Sequence, residues 1–310
     1  MTEPVVSIVM PCYQNGATLE QTVRSVQRQT FEGWELIAVN DGSTDDTGER
    51  LRALAKEEPR LRVLHQENGG VSRARNAGLA AARGEWVFFA DADDLLTADA
   101  LSVLLAMTDA ETDIVCGAYI MRYTDEGGRE ELSICAEGDR QAVLESLLRG
   151  DSALNSMCAR LYRASFIREA GIRAPKGVAV GEDVLFNLDV FAVARAWRMS
   201  DRVIYIYEFG GDSAMTRARQ DVYARSRDML DGITAFIAAH GWQTRLFRAH
   251  IDIYLRTLRA DRGRLRAALA FDRRIVRAIT DGVHPRELCA KQRLYDAALR
   301  LCPFLSIALP

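Results

Sequence analysis

No apolar run in the 310 residues approaches the ~18 that a membrane-spanning helix needs, so no transmembrane segment is expected. The N-terminus, Met1-Thr2-Glu3-Pro4, enters an apolar stretch without a basic region and long hydrophobic core, so no signal peptide is expected. The six cysteines (Cys12, Cys116, Cys135, Cys158, Cys289 and Cys302) form no Cys-x-x-Cys pair. That excludes a zinc knuckle or dithiol redox motif, and the wide spacings fit free thiols in a reducing cytosol better than a disulfide framework. His65, His240, His250 and His284 lack ligand spacing. His250 falls in an apolar helical stripe, where a hydrogen-bonded core histidine is expected. Lysine is scarce, 3 against 37 arginines, and there is no internal repeat or low-complexity tract.

What is present is ordinary globular material, 48% hydrophobic and 27% charged. The net charge of -3 is uneven: residues 241–310 hold 14 Lys and Arg against 6 Asp and Glu, and residues 1–240 hold 26 against 37. A basic tail on an acidic body is either a solvated helical face or a surface for an anionic partner such as a membrane or a lipid phosphate.

The first half alternates strand and helix patterns. Residues 5–10, 35–39, 61–64 and 86–90 are short apolar runs of the kind a buried parallel strand requires. Between them lie helical patterns: Leu19, Val23 and Val26 behind a Thr18/Gln21 capping box, residues 47–58 stopped by Pro59, and residues 71–82 with Ala74, Ala77, Gly78 and Ala81 on one face. This order predicts an α/β fold with a mostly parallel central sheet flanked by helices, whose ligands sit at the carboxyl ends of the strands. Further on, the pattern predicts a strand at 113–122 and a hairpin or loop at 123–138. Helices are expected at 141–148, 155–170 and 182–194, and a strand within 198–207. From about residue 216 the texture is helical, with stripes at Leu230, Ile233 and Ile237 and at Phe247, Ile251, Tyr254 and Leu258.

Three strand ends carry polar clusters. Asp91, Asp93 and Asp94 stand within four positions and repel one another unless a cation intervenes. Mg²⁺ or Mn²⁺ suits such oxygens, and a helix-capping role is the even alternative. Asn40-Asp41-Gly42-Ser43 is either a tight turn with a helix cap at Ser43 or Thr44, or a place where Asp41 accepts hydrogen bonds from a nucleobase or ribose. The third cluster, residues 11–16, lacks the Gly-x-Gly-x-x-Gly of a dinucleotide-binding turn.

Taken together the segments resemble the family 2 glycosyltransferases of the GT-A fold. The resemblance rests on residues 6–15 (Val-Ser-Ile-Val-Met-Pro-Cys-Tyr-Gln-Asn), 40–45 (Asn-Asp-Gly-Ser-Thr-Asp), 68–78 (Asn-Gly-Gly-Val-Ser-Arg-Ala-Arg-Asn-Ala-Gly) and 84–94 (Gly-Glu-Trp-Val-Phe-Phe-Ala-Asp-Ala-Asp-Asp). It continues more loosely through residues 159–163 and 181–186. It implies a catalytic domain over 1–215, divided into a nucleotide-binding half (1–110) and an acceptor half (111–215), with a helical C-terminal extension over 216–310.

By the same resemblance, Pro11 and Tyr13 border the base pocket and Asp41 meets the nucleobase. Arg75 lies by the nucleotide or braces the first carboxylate. Asp91, with Ala92 beside it, faces the ribose, and Asp93 holds Mn²⁺ or Mg²⁺ with the diphosphate. Asp183 is the catalytic base and Glu182 the second choice. The implied reaction is inverting hexosyl or N-acetylhexosaminyl transfer to a glycan or lipid-linked acceptor hydroxyl, as in bacterial surface polysaccharide synthesis. A UDP-sugar is the favoured donor, GDP- and dTDP-sugars fit the same fold, and no nucleic-acid partner is expected. The implied location is cytoplasmic or peripheral at the inner face of the membrane, with anionic lipid or self-association engaging the C-terminal helices. The family often has Asp at position 40 and Asn at position 14, where this chain has Asn40 and Gln14. Many members carry a basic residue near positions 208–213, where none stands here, so Arg217 is the substitute for neutralising the leaving diphosphate. Two other classes remain open: a sugar-phosphate nucleotidyltransferase, against which the absent Gly-rich phosphate loop counts, and a non-catalytic scaffold.

Overall fold

The computed structural model describes residues 3–123, 129–133, 138–149, 152–178 and 181–209, with residues 228, 229, 231–233, 235–237 and 239 in helical conformation. Strands β1 (Val6–Cys12), β2 (Trp34–Asp41), β3 (Leu61–Gln66) and β4 (Trp86–Phe89) alternate with helices α1 (Leu19–Gln27), α2 (Thr47–Glu57) and α3 (Val71–Ala81). All four strands are parallel, in the order β3-β2-β1-β4. Their carboxyl ends therefore share one edge, which is where the polar clusters fall.

Both faces of the sheet are covered, and the strand period of two sorts the side chains between them. Val6, Ile8, Met10 and Cys12 of β1 pack with Leu19, Val23 and Leu51 on one side, while Val9 joins the core on the other. Strand β4 divides likewise: Trp86 and Phe88 go one way, Val87 and Phe89 the other. The small face of α3 allows a close approach, for a methyl built on Gly78 would collide with Val9.

After β4 the chain forms β5 (Leu95–Leu96), α4 (Ala100–Leu105), β6 (Thr112–Tyr123) and β7 (Arg129–Ser133), with β6 and β7 paired as an antiparallel ladder. Then come α5 (Arg140–Arg149), α6 (Ser152–Asn155), β8 (Arg160–Arg163), α7 (Ala164–Glu169), α8 (Glu182–Val193) and β9 (Ala196–Phe209). Here the sheet becomes mixed: β8 lies antiparallel between β4 and β6, and β9 runs parallel to β6. The helix expected over 155–170 is thus a correction. Its middle is strand β8, because Leu161 and Tyr162 complete ladders with both β4 and β6 and are fully buried there. Other local readings also change. Thr18 makes no capping bond, and α2 begins at Thr47 behind Asp46 rather than at Ser43 or Thr44. Of the expected C-terminal stripes, Ile233 and Ile237 are buried, whereas Leu230 and the stripe from Phe247 lie outside the described residues.

The amino end of the sheet is tied by Glu35, 2% exposed, which accepts from Ser7 Oγ at 2.7 Å, Arg83 Nη2 at 2.7 Å and Arg62 Nη1 at 2.8 Å. Burial alone would raise its pKa, but the donors from Arg83, Arg62 and Ser7 outweigh burial and hold it down to about 2. A depressed carboxylate contributes stability above its unfolded pKa and loses it as pH falls through the folded value. We therefore expect up to about 3 kcal/mol of stability to disappear between roughly pH 4.5 and pH 2. Urea unfolding of wild type and Glu35→Gln over that window checks this, and equal acid slopes in the two proteins would refute it.

Candidate active site

The four parallel strands deliver their carboxyl-end loops to one place. The β1–α1 loop is locked to the β2–α2 loop by Gln14, held at φ 57°. Its Oε1 accepts from the Thr44 and Asp45 amides at 2.8 and 3.1 Å, its Nε2 donates to Thr44 Oγ1, and its own amide donates to Ser43 Oγ. Tyr13 beside it leaves its ring 45% exposed above the half-buried Pro11. Asn40 shapes the neighbouring turn by accepting the Ser43 amide at 3.0 Å.

Asp41 is 2% exposed and accepts three bonds: from Gln66 Nε2 at 2.6 Å and from the Gly69 and Gly70 amides at 3.0 and 2.8 Å. It braces the β3–α3 turn and keeps one Oδ2 lone pair for a further donor. The Asp91–Asp94 turn is clamped from both sides. Thr18 and Thr22 of the α1 region donate to the buried Ala92 carbonyl, each at 3.0 Å. From the other side Tyr205 donates to Asp94 Oδ2 at 2.7 Å and accepts the Asp91 amide at 3.0 Å, and the Glu208 amide reaches Asp94 Oδ1. The capping alternative for this acidic run fails, because β5 follows it and α4 starts only at Ala100.

Arg75 of α3 joins the end of β4 to the start of α8. Its side chain is 3% exposed and donates to Asp91 Oδ1 at 2.9 Å, Asp183 Oδ1 at 2.7 Å and Glu182 Oε1 at 3.1 Å. Asp91 follows β4, whereas Glu182 and Asp183 open α8 behind Gly181, whose φ of 87° only glycine adopts without strain. A packed aromatic trio holds these segments in register: Phe89, Tyr162 and Phe186 meet edge to face, with ring centroids 5.5–5.8 Å apart. Asp183 Oδ2 also accepts the Met157 amide at 3.1 Å.

Burial, followed by the Asp183 charge, raises the Glu182 pKa to about 7 against the opposing pull of Arg75. Asp183 is also raised, by burial first and then by Asp91, with Arg75 opposing. Two crowded carboxyls on one guanidinium are poised to take up a proton near neutrality, as a general base requires.

The acidic turn can be tested for a divalent cation on its donor chemistry. Asp91, Asp94 and Cys158 bring one potential ligand atom each within 4.8 Å of one another. That trio does not suit Mg²⁺ or Mn²⁺. Burial keeps the Cys158 thiol protonated, it points at Asp91 Oδ2 at 3.7 Å, and Asp94 is taken up by Tyr205 and Glu208. The carboxylates of Asp93, half-buried, and Asp91, 22% exposed, are hard oxygen donors and do suit such an ion. Sequence reasoning singled out every acid in this cluster but missed the neutral groups that hold them: Gln66, Cys158, Thr22 and the Tyr205–Asp94 pair. Of the stretch 208–213, where the resemblance implies a basic residue, residues 210–213 lie outside the described residues, as does Arg217.

The Glycosyl transferase family 2 model matches residues 7–171, more than half of the chain. The chain belongs to that family. Among curated relatives, the uncharacterized glycosyltransferase EpsJ of Bacillus subtilis is 31% identical over 228 residues, covering 66% of this chain and 61% of EpsJ. The putative glycosyltransferase EpsH of the same organism is 27% identical, covering 82% of this chain and 75% of EpsH. This family 2 chain therefore spans about three fifths to three quarters of those relatives. Among solved structures, Staphylococcus aureus TarS 1–349 in complex with UDP-GlcNAc superposes with a TM-score of 0.71 at 19% identity, covering 97% of this chain and 89% of that one. The mannosyltransferase PcManGT of Pyrobaculum calidifontis, in complex with GDP-Man and Mn²⁺, gives 0.55 at 17%, covering 99% and 86%. These likenesses establish the GT-A fold. No described helix is long and apolar enough to cross a membrane.

Proposed function

We propose that this family 2 glycosyltransferase moves a sugar from a nucleoside diphosphate sugar to an acceptor hydroxyl with inversion, and that Asp183 is the base. The observation that carries the reading is the Arg75 bridge, which gathers Asp91 of the donor half and Asp183 of the acceptor half around one cation. Displacement at an anomeric carbon needs a deprotonated nucleophile opposite the departing phosphate. Asp183, 22% exposed at the start of α8, offers a carboxylate oxygen for that proton, and Glu182 beside it keeps the pair basic by repulsion. The exposed Tyr13 ring offers a face on which a nucleobase can stack, and the Asp41 lone pair is an acceptor for a base N–H. Asp93, with Asp91, would hold Mn²⁺ or Mg²⁺, which when bound neutralises the diphosphate of the leaving group.

UDP is the favoured nucleotide, since TarS, the likeness with the higher TM-score, binds UDP-GlcNAc, while PcManGT binds GDP-Man. A glycan or lipid-linked acceptor, and contact of the basic segment 241–310 with an anionic membrane surface, complete the reading. The test is calorimetric titration of UDP, GDP, dTDP and CMP, each with and without Mn²⁺, on wild type and Asp93→Ala. One diphosphate should bind with Mn²⁺ and weaken at least tenfold without it or in the variant. Absence of binding under every condition would make Asp91 and Asp93 structural carboxylates and favour a scaffold.

A further inference from the structure

The helical residues between 228 and 239 present one apolar face, Met229, Ile233, Phe236 and Ile237, at spacings of four, three and one. That face is seated on α8. Ile233 is fully buried, with Phe236 and Ile237 at 7% and 6% exposure, in the same core cluster as Val184, Leu185 and Phe186. The backbone comes close enough that a methyl built on Gly232 would lie 2.5 Å from Leu185 Cδ1. Met229 lies directly over Gly181, where a methyl would overlap its thioether.

Gly181 is the N-terminal cap of α8. It takes a left-handed conformation, its carbonyl accepts the first helical bond of α8 from Leu185, and Glu182 and Asp183 follow it immediately. Among the described residues, Arg75 and the Met157 amide donate to the Asp183 carboxylate. Gly181 is itself in contact range of Met229, from a segment beyond β9.

We infer that Met229 is a positioning residue for the reaction: seated on Gly181, it fixes the turn that aims Asp183 at the acceptor. The C-terminal segment is then part of the catalytic apparatus without touching substrate. This rests on the proposed role of Asp183. Met229 is half-buried and flexible, so its truncation leaves the Ile233–Phe236–Ile237 anchor in place and the protein folded.

Hydrogen exchange on the full chain reads the turn without any substrate. In Met229→Ala the amides of residues 185–188, which make the first helical bonds of α8, should exchange at least tenfold faster, those of α3 and β1 should be unchanged, and Met229→Leu should restore protection. The rate with the sugar nucleotide whose diphosphate binds best should fall about tenfold in Met229→Ala, nucleotide affinity should stay within twofold, and Met229→Leu should recover the rate. Unchanged exchange at 185–188 would overturn the inference. So would faster exchange with an unaltered turnover rate, which would make Met229 a packing residue only. Asp183→Asn separates the two readings: full activity in that variant defeats the role of Asp183 itself, whereas loss there with no effect of Met229→Ala defeats only the positioning role.

Discussion

Asp183→Asn should lower turnover about a thousandfold while leaving the affinity for the nucleotide diphosphate within twofold. General base catalysis contributes roughly 10²–10⁴ in rate, and an amide cannot accept the acceptor's proton. On the proposed site nucleotide binding is spared, because Asp183 lies on α8, whereas Tyr13, Asp41 and Asp93 stand at the carboxyl ends of β1, β2 and β4. The variant also carries a structural cost. Asp183 accepts from Arg75 through one oxygen and from the Met157 amide through the other, so either orientation of an asparagine points an N–H at a donor. A mismatch of that kind costs about 1–3 kcal/mol, so circular dichroism and a melting curve must accompany the kinetics. Glu182→Gln keeps Asp183 with its bonds from Arg75 and the Met157 amide, and should cost less than tenfold. In wild type the acid limb of the rate profile should lie above pH 4, because burial and the Asp91 charge hold the Asp183 carboxyl above its ordinary range. Comparable losses for Asp183→Asn and Glu182→Gln would reassign the base.

Those acids were legible in the sequence because chemistry placed them at strand and helix ends. Four short apolar runs, each followed by a polar cluster, predict both the parallel half of the sheet and the edge on which Asp41, Asp91 and Asp93 stand. The mixed part of the sheet after β4 is less legible. Strand β8 has four residues, too few for periodicity to tell strand from helix, and its conformation is imposed by pairing with β4 on one side and β6 on the other. Thr18 shows a different limit. Its spacing to Gln21 fits a capping box, yet its hydroxyl turns to the Ala92 carbonyl, a partner 74 residues away that no local pattern reveals. Asp94 was visible as the third acid of a triplet, but Tyr205, which makes it a structural clamp, reads in the sequence as one more strand aromatic. Arg75 stands between these cases. Its motif marked it as a brace for the first carboxylate, and the structure adds that the same guanidinium reaches Glu182 and Asp183, more than a hundred residues later.

Replacing Arg75 should therefore have the largest effect in the molecule. Arg75→Met leaves Asp91, Glu182 and Asp183 crowded without their cation, and breaking a buried ion pair on one side typically costs about 3–5 kcal/mol. The sign of the pH dependence identifies the cause. Losing the guanidinium raises the folded-state pKa values of carboxyls already held above their usual range, while the unfolded values stay near those of free carboxylic acids. Between those limits the folded state binds more protons than the unfolded state, so stability falls as pH rises. The deficit of Arg75→Met should be greatest at pH 8–9 and shrink toward pH 5, as urea unfolding across that range would show. A deficit independent of pH would mean that the arginine acts by packing. Arg75→Lys divides charge from geometry. An ammonium restores part of the stability, yet a single point of charge cannot fork to three carboxylates on two halves of the sheet. Turnover in Arg75→Lys should stay about a hundredfold below wild type even where its stability recovers. Wild-type turnover in that variant would show that the site needs only a positive charge between its two halves, and the alignment of Asp91 with Asp183 would then have to come from the aromatic trio beneath them.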